Sequence, residues 1–300
     1  MMMNLAGIYP PIPTPFNQDE SIAFDKLEQN ICKWISLPLD GIVMPGSNSE
    51  VVYLTKEERL KIWKCCADIM KGSEKYFIAG TGAETTSETI ELTAKAASYG
   101  AKAALVMPPF YYKASMNHKT LINHYTLLSK ASPIPIIIYN VPVFTGIDFS
   151  IDTLKALAEI PGIIGIKDSS SNVIKMGQLL TACPKFQVLC GTGSAFLPFL
   201  SIGAVGGVMA LANIAGAPLR LLMNAYKDKK QEKAIEIQRD LVDLNTLVTS
   251  GYGVPGLKYA MDKVGFYGGP TRLPLLPING NEKMELDRVL EKLKEKYSII

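Results

Sequence analysis

One lysine in this chain stands at an unexpected place. In "IIGIKDSSS", residues 163–171, Lys167 directly follows an aliphatic run and directly precedes an acid and three serines. Isoleucine at this density suits a short strand buried on both faces. The plain reading is that the strand leaves the core there and Lys167 marks the surface. The chemical reading is an amine held away from water at a strand end, where it is a nucleophile. An ordinary lysine, with a pKa near 10.4, is neutral in roughly one molecule in a few thousand at pH 7, so attack on a ketone calls for desolvation. Side chains alternate along a strand, which puts Gly165 on the face of Lys167, leaving space for a substrate, and Ile164 and Ile166 on the other.

A Schiff base with an α-keto acid also needs an anion site and a proton shuttle. Successive amides in "GSNS", residues 46–49, can form a carboxylate-binding nest, although the same residues also suit a simple strand-to-helix loop. Tyr139, near the end of "PIPIIIYN", can exchange protons at the imine carbon or an adjacent hydroxyl, or it can merely fill a barrel. No paired carboxylates emerge for glycosidase work and no serine–histidine arrangement for acyl transfer. His118 and His124 lie six apart in "NHKTLINHY" with no carboxylate or cysteine at ligand spacing, and read as surface residues of a helix, not as metal ligands.

These groups need a scaffold that brings strand ends together. Eight short aliphatic runs recur along the chain: "GIYPPI", "DGIVM", "YFIAG", "KAALVM", "PIPIIIYN", "IIGIKD", "FQVLCG" and "GGVMAL". Amphipathic helical stretches separate them, such as residues 55–70, opened by a capping box of Thr55 and Glu58. Eight alternating units predict a TIM (β/α)8 barrel over residues 1–225, whose chemistry lies at the C-terminal ends of its strands. Beyond it, Ala234, Ile237, Leu241, Leu244 and Val248 fall three and four apart on one helical face, and helix continues at 257–264 and 282–296. Residues 226–300 therefore read as a C-terminal helical extension. A doubly wound sheet would need a glycine-rich phosphate loop after the first strand, and "GIYPPIPTPF" has none.

Composition narrows the function further. The 300 residues carry 31 Lys+Arg against 28 Asp+Glu, without a basic run or basic stripe, which argues against nucleic-acid binding. Cys32, Cys65, Cys66, Cys183 and Cys190 are odd in number and mostly sit in apolar segments, as buried free thiols of a reducing compartment do. No apolar stretch is long enough for a membrane span, and "MMMNLAGIYPP" lacks the regions of a signal peptide, so the expectation is a soluble cytoplasmic protein.

With these residues in place, the chain resembles the pyruvate-dependent class I aldolases related to dihydrodipicolinate synthase and N-acetylneuraminate lyase, and within them most resembles 4-hydroxy-2-oxoglutarate aldolase. The resemblance covers essentially the whole chain. It rests on "GIYPPIPTPF", "GSNSE", "LVMPPFYYK", "YNVP..TG", "IIGIKDSS", "GAVGGVMALAN" and "GVPGLKYAMDKVGFYGGPTRLPL". It implies that Lys167 is the Schiff-base lysine, with no cofactor beyond that covalent imine, and that Tyr139 is the catalytic tyrosine. By the same resemblance Ser47 and Asn48 hold the pyruvyl carboxylate and Ser47 serves as relay hydroxyl. The resemblance further implies that Tyr111 reaches a neighbouring subunit's site, that Val208 lines the pocket, and that the assembly is a homo-oligomer, a dimer or tetramer.

Three departures bear on substrate. Ser49 stands where the family usually has glycine, which could shift the nest. Phe144 stands where the synthase has an arginine for the second substrate's carboxylate, and "GTGS" lacks the synthase's acidic residue. The expected reaction is cleavage of a 4-hydroxy-2-oxo acid, such as 4-hydroxy-2-oxoglutarate, to pyruvate and an aldehyde, the distal carboxylate finding a donor in Asn48, Ser49 or Thr145. The alternatives are dihydrodipicolinate synthase, a 2-keto-3-deoxy sugar acid aldolase or dehydratase, and a non-catalytic barrel that binds a keto acid.

Overall fold

The computed structural model describes residues 3–299. Eight parallel strands form the barrel: β1 (Gly7–Tyr9), β2 (Gly41–Met44), β3 (Tyr76–Gly80), β4 (Ala103–Val106), β5 (Ile136–Asn140), β6 (Ile163–Asp168), β7 (Gln187–Cys190) and β8 (Gly206–Val208). Neighbours in sequence pair in space, and β8 returns to β1. Hydrogen bonds from Val43 N to Pro10 O (2.9 Å) and from Ile12 N to Val43 O (3.0 Å) close the ring between β1 and β2. The fold is a TIM barrel with C-terminal helices, as the eight aliphatic runs predicted. The last run is shorter than expected, since "GGVMAL" leaves the sheet at Val208 and Ala210–Asn213 turns as a 3-10 helix.

Helices α1 (Phe24–Ser36), α2 (Lys56–Met70), α3 (Thr86–Ser98), α4 (His118–Ala131), α5 (Pro142–Thr145), α6 (Ile151–Ala158), α7 (Val173–Ala182), α8 (Phe196–Ser201) and α9 (Gly216–Lys227) follow the strands, and α10 (Gln231–Thr246), α11 (Gly253–Lys263) and α12 (Gly280–Lys294) form the tail. The start of α2 shows how local chemistry sets an end. Thr55 Oγ1 accepts from Glu58 N, and Glu58 Oε2 accepts from Thr55 N, so the two residues satisfy each other's open amides. Strand side chains divide the core in two. Tyr9, Val43, Ile78, Leu105, Ile137, Tyr139, Leu189 and Val208 fill the barrel. Ile8, Ile42, Phe77, Val106, Ile138 and Val188 pack outward against the helices.

Strict alternation fails on β6. The ladder pairs Ile136 with Ile163 but Ile137 with Gly165, so Ile164 is an extra residue in a bulge. Ile164 joins the barrel interior while Ile163 and Ile166 face the helices, which corrects the expectation that Ile164 and Ile166 share a face. Gly165 has a different reason as well. A Cβ there would stand 2.4 Å from the carbonyl oxygen of Gln187, so the glycine permits the approach of β7.

Two further expectations need correction. Cys32 is exposed and Cys183 half-buried, leaving Cys65, Cys66 and Cys190 as buried thiols. His118 lies at the surface, but His124 is buried, because it shares an α4 face with Leu121, Tyr125 and Leu128. Its Nδ1 is 2.9 Å from Thr86 Oγ1, and burial pushes its pKa down to about 4. The unfolded chain, with a histidine pKa near 6.5, therefore binds more protons than the native one between those values. Stability should fall as pH drops from about 6.5 towards 4, by up to ~3 kcal/mol from this residue. Urea titrations across that range should show a shallower pH slope for His124→Gln, and equal slopes would contradict the assignment.

Candidate active site

The pairing of β5 with β6 sets Tyr139 beside Lys167, and β7 sets Leu189 on its other side. Lys167 is 5% exposed, its Nζ 3.9 Å from the centroid of the Tyr139 ring. No carboxylate pairs with that amine among the described residues. Tyr139 is equally buried, and its hydroxyl lies 3.3 Å from Ser47 Oγ, so Lys167, Tyr139 and Ser47 form one chain of contacts across three strand ends. Val208 is buried in the same interior cluster as Tyr139.

The strand is also tied from its outer side. Asp168 points away from the barrel interior, where Asn140 Nδ2 donates to it at 2.7 Å and Ser170 Oγ at 2.8 Å. Burial pushes the Asp168 pKa up, against the pull of those donors. Asn140 also donates to Asp148, which pairs with Lys175. This network clamps β5 to β6 one residue beyond Tyr139 and Lys167.

Ser47 opens a 3-10 turn, Ser47–Ser49, that follows β2. The amides of Ser49, Glu50 and Val51 are spent inside the loop, whereas those of Ser47 and Asn48 have no partner among the described residues. Two adjacent free amides are what a short anion nest requires. Ser49 leaves this geometry undisturbed, because its backbone is outside the left-handed region. Its hydroxyl accepts from Gly46 N (2.9 Å) and donates to Ile12 O. Thr145 Oγ1 is likewise committed, to Val141 O and Ile147 O. Of the donors expected for a distal carboxylate, only the Asn48 side chain is uncommitted among the described residues.

Above Ser47 opens a cleft of about 870 Å³. Its wall includes Val51, Val52, Met107, Phe110, Phe144 and Leu275, and among the described residues no lysine, arginine or histidine lines it. Phe144 is 64% exposed there. A smaller pocket shares Ser47, Val51 and Met107 with this cleft and is walled by Tyr139, Leu105 and Arg59. Tyr111 is not brought to this centre. It is 75% exposed, its ring at 5.0 Å from that of Tyr112, and its N–H donates to Glu84. It makes no hydrogen bond to Ser47 or Tyr139 among the described residues.

Sequence reasoning missed the supports. Asn245, on the buried face of α10, accepts from Gly193 N (3.0 Å) and donates to Thr192 Oγ1 and Ser194 Oγ, holding the "GTGS" turn. Its signal was an amide beside the apolar stripe of Leu241, Leu244 and Val248. Glu50 and Lys258 form a fully buried ion pair at 2.6 Å, and their signal was two charges set within buried runs. Among the described residues there is no group of three or more His, Cys, Asp or Glu able to hold a metal, and no helix long and apolar enough to cross a membrane.

Comparison with known proteins gives this centre a context. The model of the dihydrodipicolinate synthetase family matches residues 4–293. A 4-hydroxy-tetrahydrodipicolinate synthase of Methanothrix thermoacetophila is 34% identical over 291 residues, covering 96% of this chain and 97% of that protein. Among solved structures, the chloride-inhibited dihydrodipicolinate synthase of Acinetobacter baumannii, complexed with pyruvate, is 30% identical with a TM-score of 0.92, covering 99% of this chain and 100% of that one. YagE of E. coli K12, a prophage protein also in complex with pyruvate, is 28% identical with a TM-score of 0.90, covering 97% and 99%. Matched along nearly its whole length by family, relatives and barrel alike, the chain belongs to the dihydrodipicolinate synthetase family of pyruvate-dependent class I aldolases.

Proposed function

We propose that the protein is a lyase that cleaves a 4-hydroxy-2-oxo acid, such as 4-hydroxy-2-oxoglutarate, to pyruvate and an aldehyde through an imine on Lys167. The observation that carries this reading is the buried, unpaired Lys167 amine beside the Tyr139 ring, with Tyr139 in turn beside Ser47. The amine adds to the C2 carbonyl of the substrate and water leaves. Tyr139, passing its phenolic proton to Ser47, takes the proton of the C4 hydroxyl as the C3–C4 bond breaks and the aldehyde departs, and the relay then returns a proton for C3. The remaining enamine is protonated at C3, and water hydrolyses the imine to pyruvate and free lysine. Ser47 and Asn48 hold the 2-oxo acid's carboxylate through their free amides, and Val208 closes the pocket behind it.

The synthase reading has a specific observation in its favour, since the Methanothrix relative carries that name. Against it stands the cleft itself. Condensation with aspartate semialdehyde would set a second carboxylate near Phe144, where no cation of the described residues lines the wall. The distal carboxylate of 4-hydroxy-2-oxoglutarate meets the same wall with the Asn48 side chain as its donor, and a 2-keto-3-deoxy acid carries hydroxyls there instead. A coupled lactate dehydrogenase assay should therefore detect pyruvate release from 4-hydroxy-2-oxoglutarate or a 2-keto-3-deoxy acid and negligible condensation with aspartate semialdehyde. Robust condensation with no cleavage of either hydroxy-keto acid would overturn the lyase assignment.

Tyr139→Phe should lower kcat by roughly 10²-fold, the range of a lost acid–base group, and normal turnover would remove the relay. The exposure of Tyr111 fits a role in trans, with one protomer's tyrosine completing its partner's relay of Tyr139 and Ser47. Sedimentation should find a dimer or tetramer. A fully active monomer would contradict that arrangement.

A further inference from the structure

The ion pair of Glu50 and Lys258 is the most deeply buried in the described chain, each side chain 1% exposed. Lys258 Nζ stands 2.6 Å from Glu50 Oε1, donates to Pro270 O at 2.7 Å and lies over the Phe16 ring. The other carboxylate oxygen, Glu50 Oε2, accepts from Arg272 N at 2.9 Å. A buried pair of this kind is poor evidence for a stabilising role, because apolar replacements of similar shape often serve the fold as well. Its location suggests another use.

Glu50 is the residue that ends the Ser47–Ser49 turn, and its backbone is left-handed, with φ 56° and ψ 39°. A side chain disfavours that conformation, so the surroundings must impose it. Its N–H donates to Ser47 O at 3.1 Å, which orients the Ser47–Asn48 peptide and so the free N–H of Asn48, while the Gly46–Ser47 peptide, which carries the free N–H of Ser47, is held at Gly46 O by the flanking amides of Ser49 and Val51. Lys258 comes from α11 and Arg272 from the segment after it, so both anchors belong to the C-terminal extension.

We propose that Glu50 and Lys258 are positioning residues for the substrate's carboxylate: the C-terminal extension holds Glu50, Glu50 holds the turn, and the turn presents its two amides. This rests on the reading that Ser47 and Asn48 bind that carboxylate. Lys258 and Arg272 of the C-terminal extension thereby set affinity for the 2-oxo acid through Glu50 and the turn it ends.

The test is borohydride trapping over a pyruvate titration, alongside steady-state kinetics, in the full-length protein. Lys258→Met should raise the pyruvate concentration for half-maximal labelling, and KM, about tenfold, the effect of one lost charge-assisted bond. Labelling at saturating pyruvate, and kcat, should stay within about threefold of the unmodified protein, as for a defect in ground-state binding. The double variant Glu50→Gln/Lys258→Met neutralises both partners, protects the fold from a lone buried charge, and should show the same rise. Folded variants whose half-saturation matches the unmodified protein would overturn the proposal. So would a fall in kcat with half-saturation unchanged, the pattern of a simple loss of active fraction. If the unmodified protein fails to trap pyruvate on Lys167, the imine reading itself is removed, an outcome distinct from either.

Discussion

The site depends on a single extra residue in β6. If the phase of Ile163 and Ile164 continued unbroken along the strand, Ile166 would face the barrel and Lys167 would face the helices. The bulge at Ile164 reverses that phase, so Lys167 faces inward beside Tyr139. Three neighbouring features keep the phase from slipping. Gly165 admits the Gln187 carbonyl where no side chain fits, Asn140 locks Asp168 from the outer side, and Ile166 is anchored in the interlayer core. A buried amine on a rigid strand is held in place before any substrate arrives, which is the arrangement that imine chemistry asks for.

The barrel alone does not complete this arrangement. Its strand ends supply Lys167 and Tyr139, but the loops over them are held by residues far along the chain. Asn245 of α10 fixes the turn after β7 through three hydrogen bonds, and Lys258 of α11 anchors the turn after β2. Between these anchors the helical path loosens into a π-helical turn, Leu247–Gly251, whose Thr249 and Gly251 line the cleft together with Ser47 and Phe144. Helical irregularities of this type often accompany functional sites. The C-terminal helices are thus part of the mouth of the barrel.

Much of this was legible in the sequence. Eight aliphatic runs separated by helical stretches led to the barrel because burial on both faces of a parallel strand leaves a continuous apolar signature. Lys167 stood out because a charge at the end of such a run costs free energy and asks for a reason. The bulge was not legible, since isoleucine on both sides of Gly165 gives no cue to which one is extra. His124 was misread because its polarity was weighed above its three- and four-residue spacing from Leu121 and Leu128. Glu50 and Lys258 each stand as a charge within an apolar run, but only the fold brings together two residues so far apart in the chain. Ser49 and Thr145 looked like free donors, yet local backbone carbonyls had already taken their hydroxyls.

The central claim is that Lys167 is the nucleophile, and it can be tested without knowing the aldehyde. Pyruvate and borohydride should leave one covalent adduct, which peptide mass mapping assigns to the segment containing Lys167, and Lys167→Ala should leave the protein unlabelled. An adduct on Lys258 or Lys113, or no adduct on protein that still releases pyruvate, would contradict it.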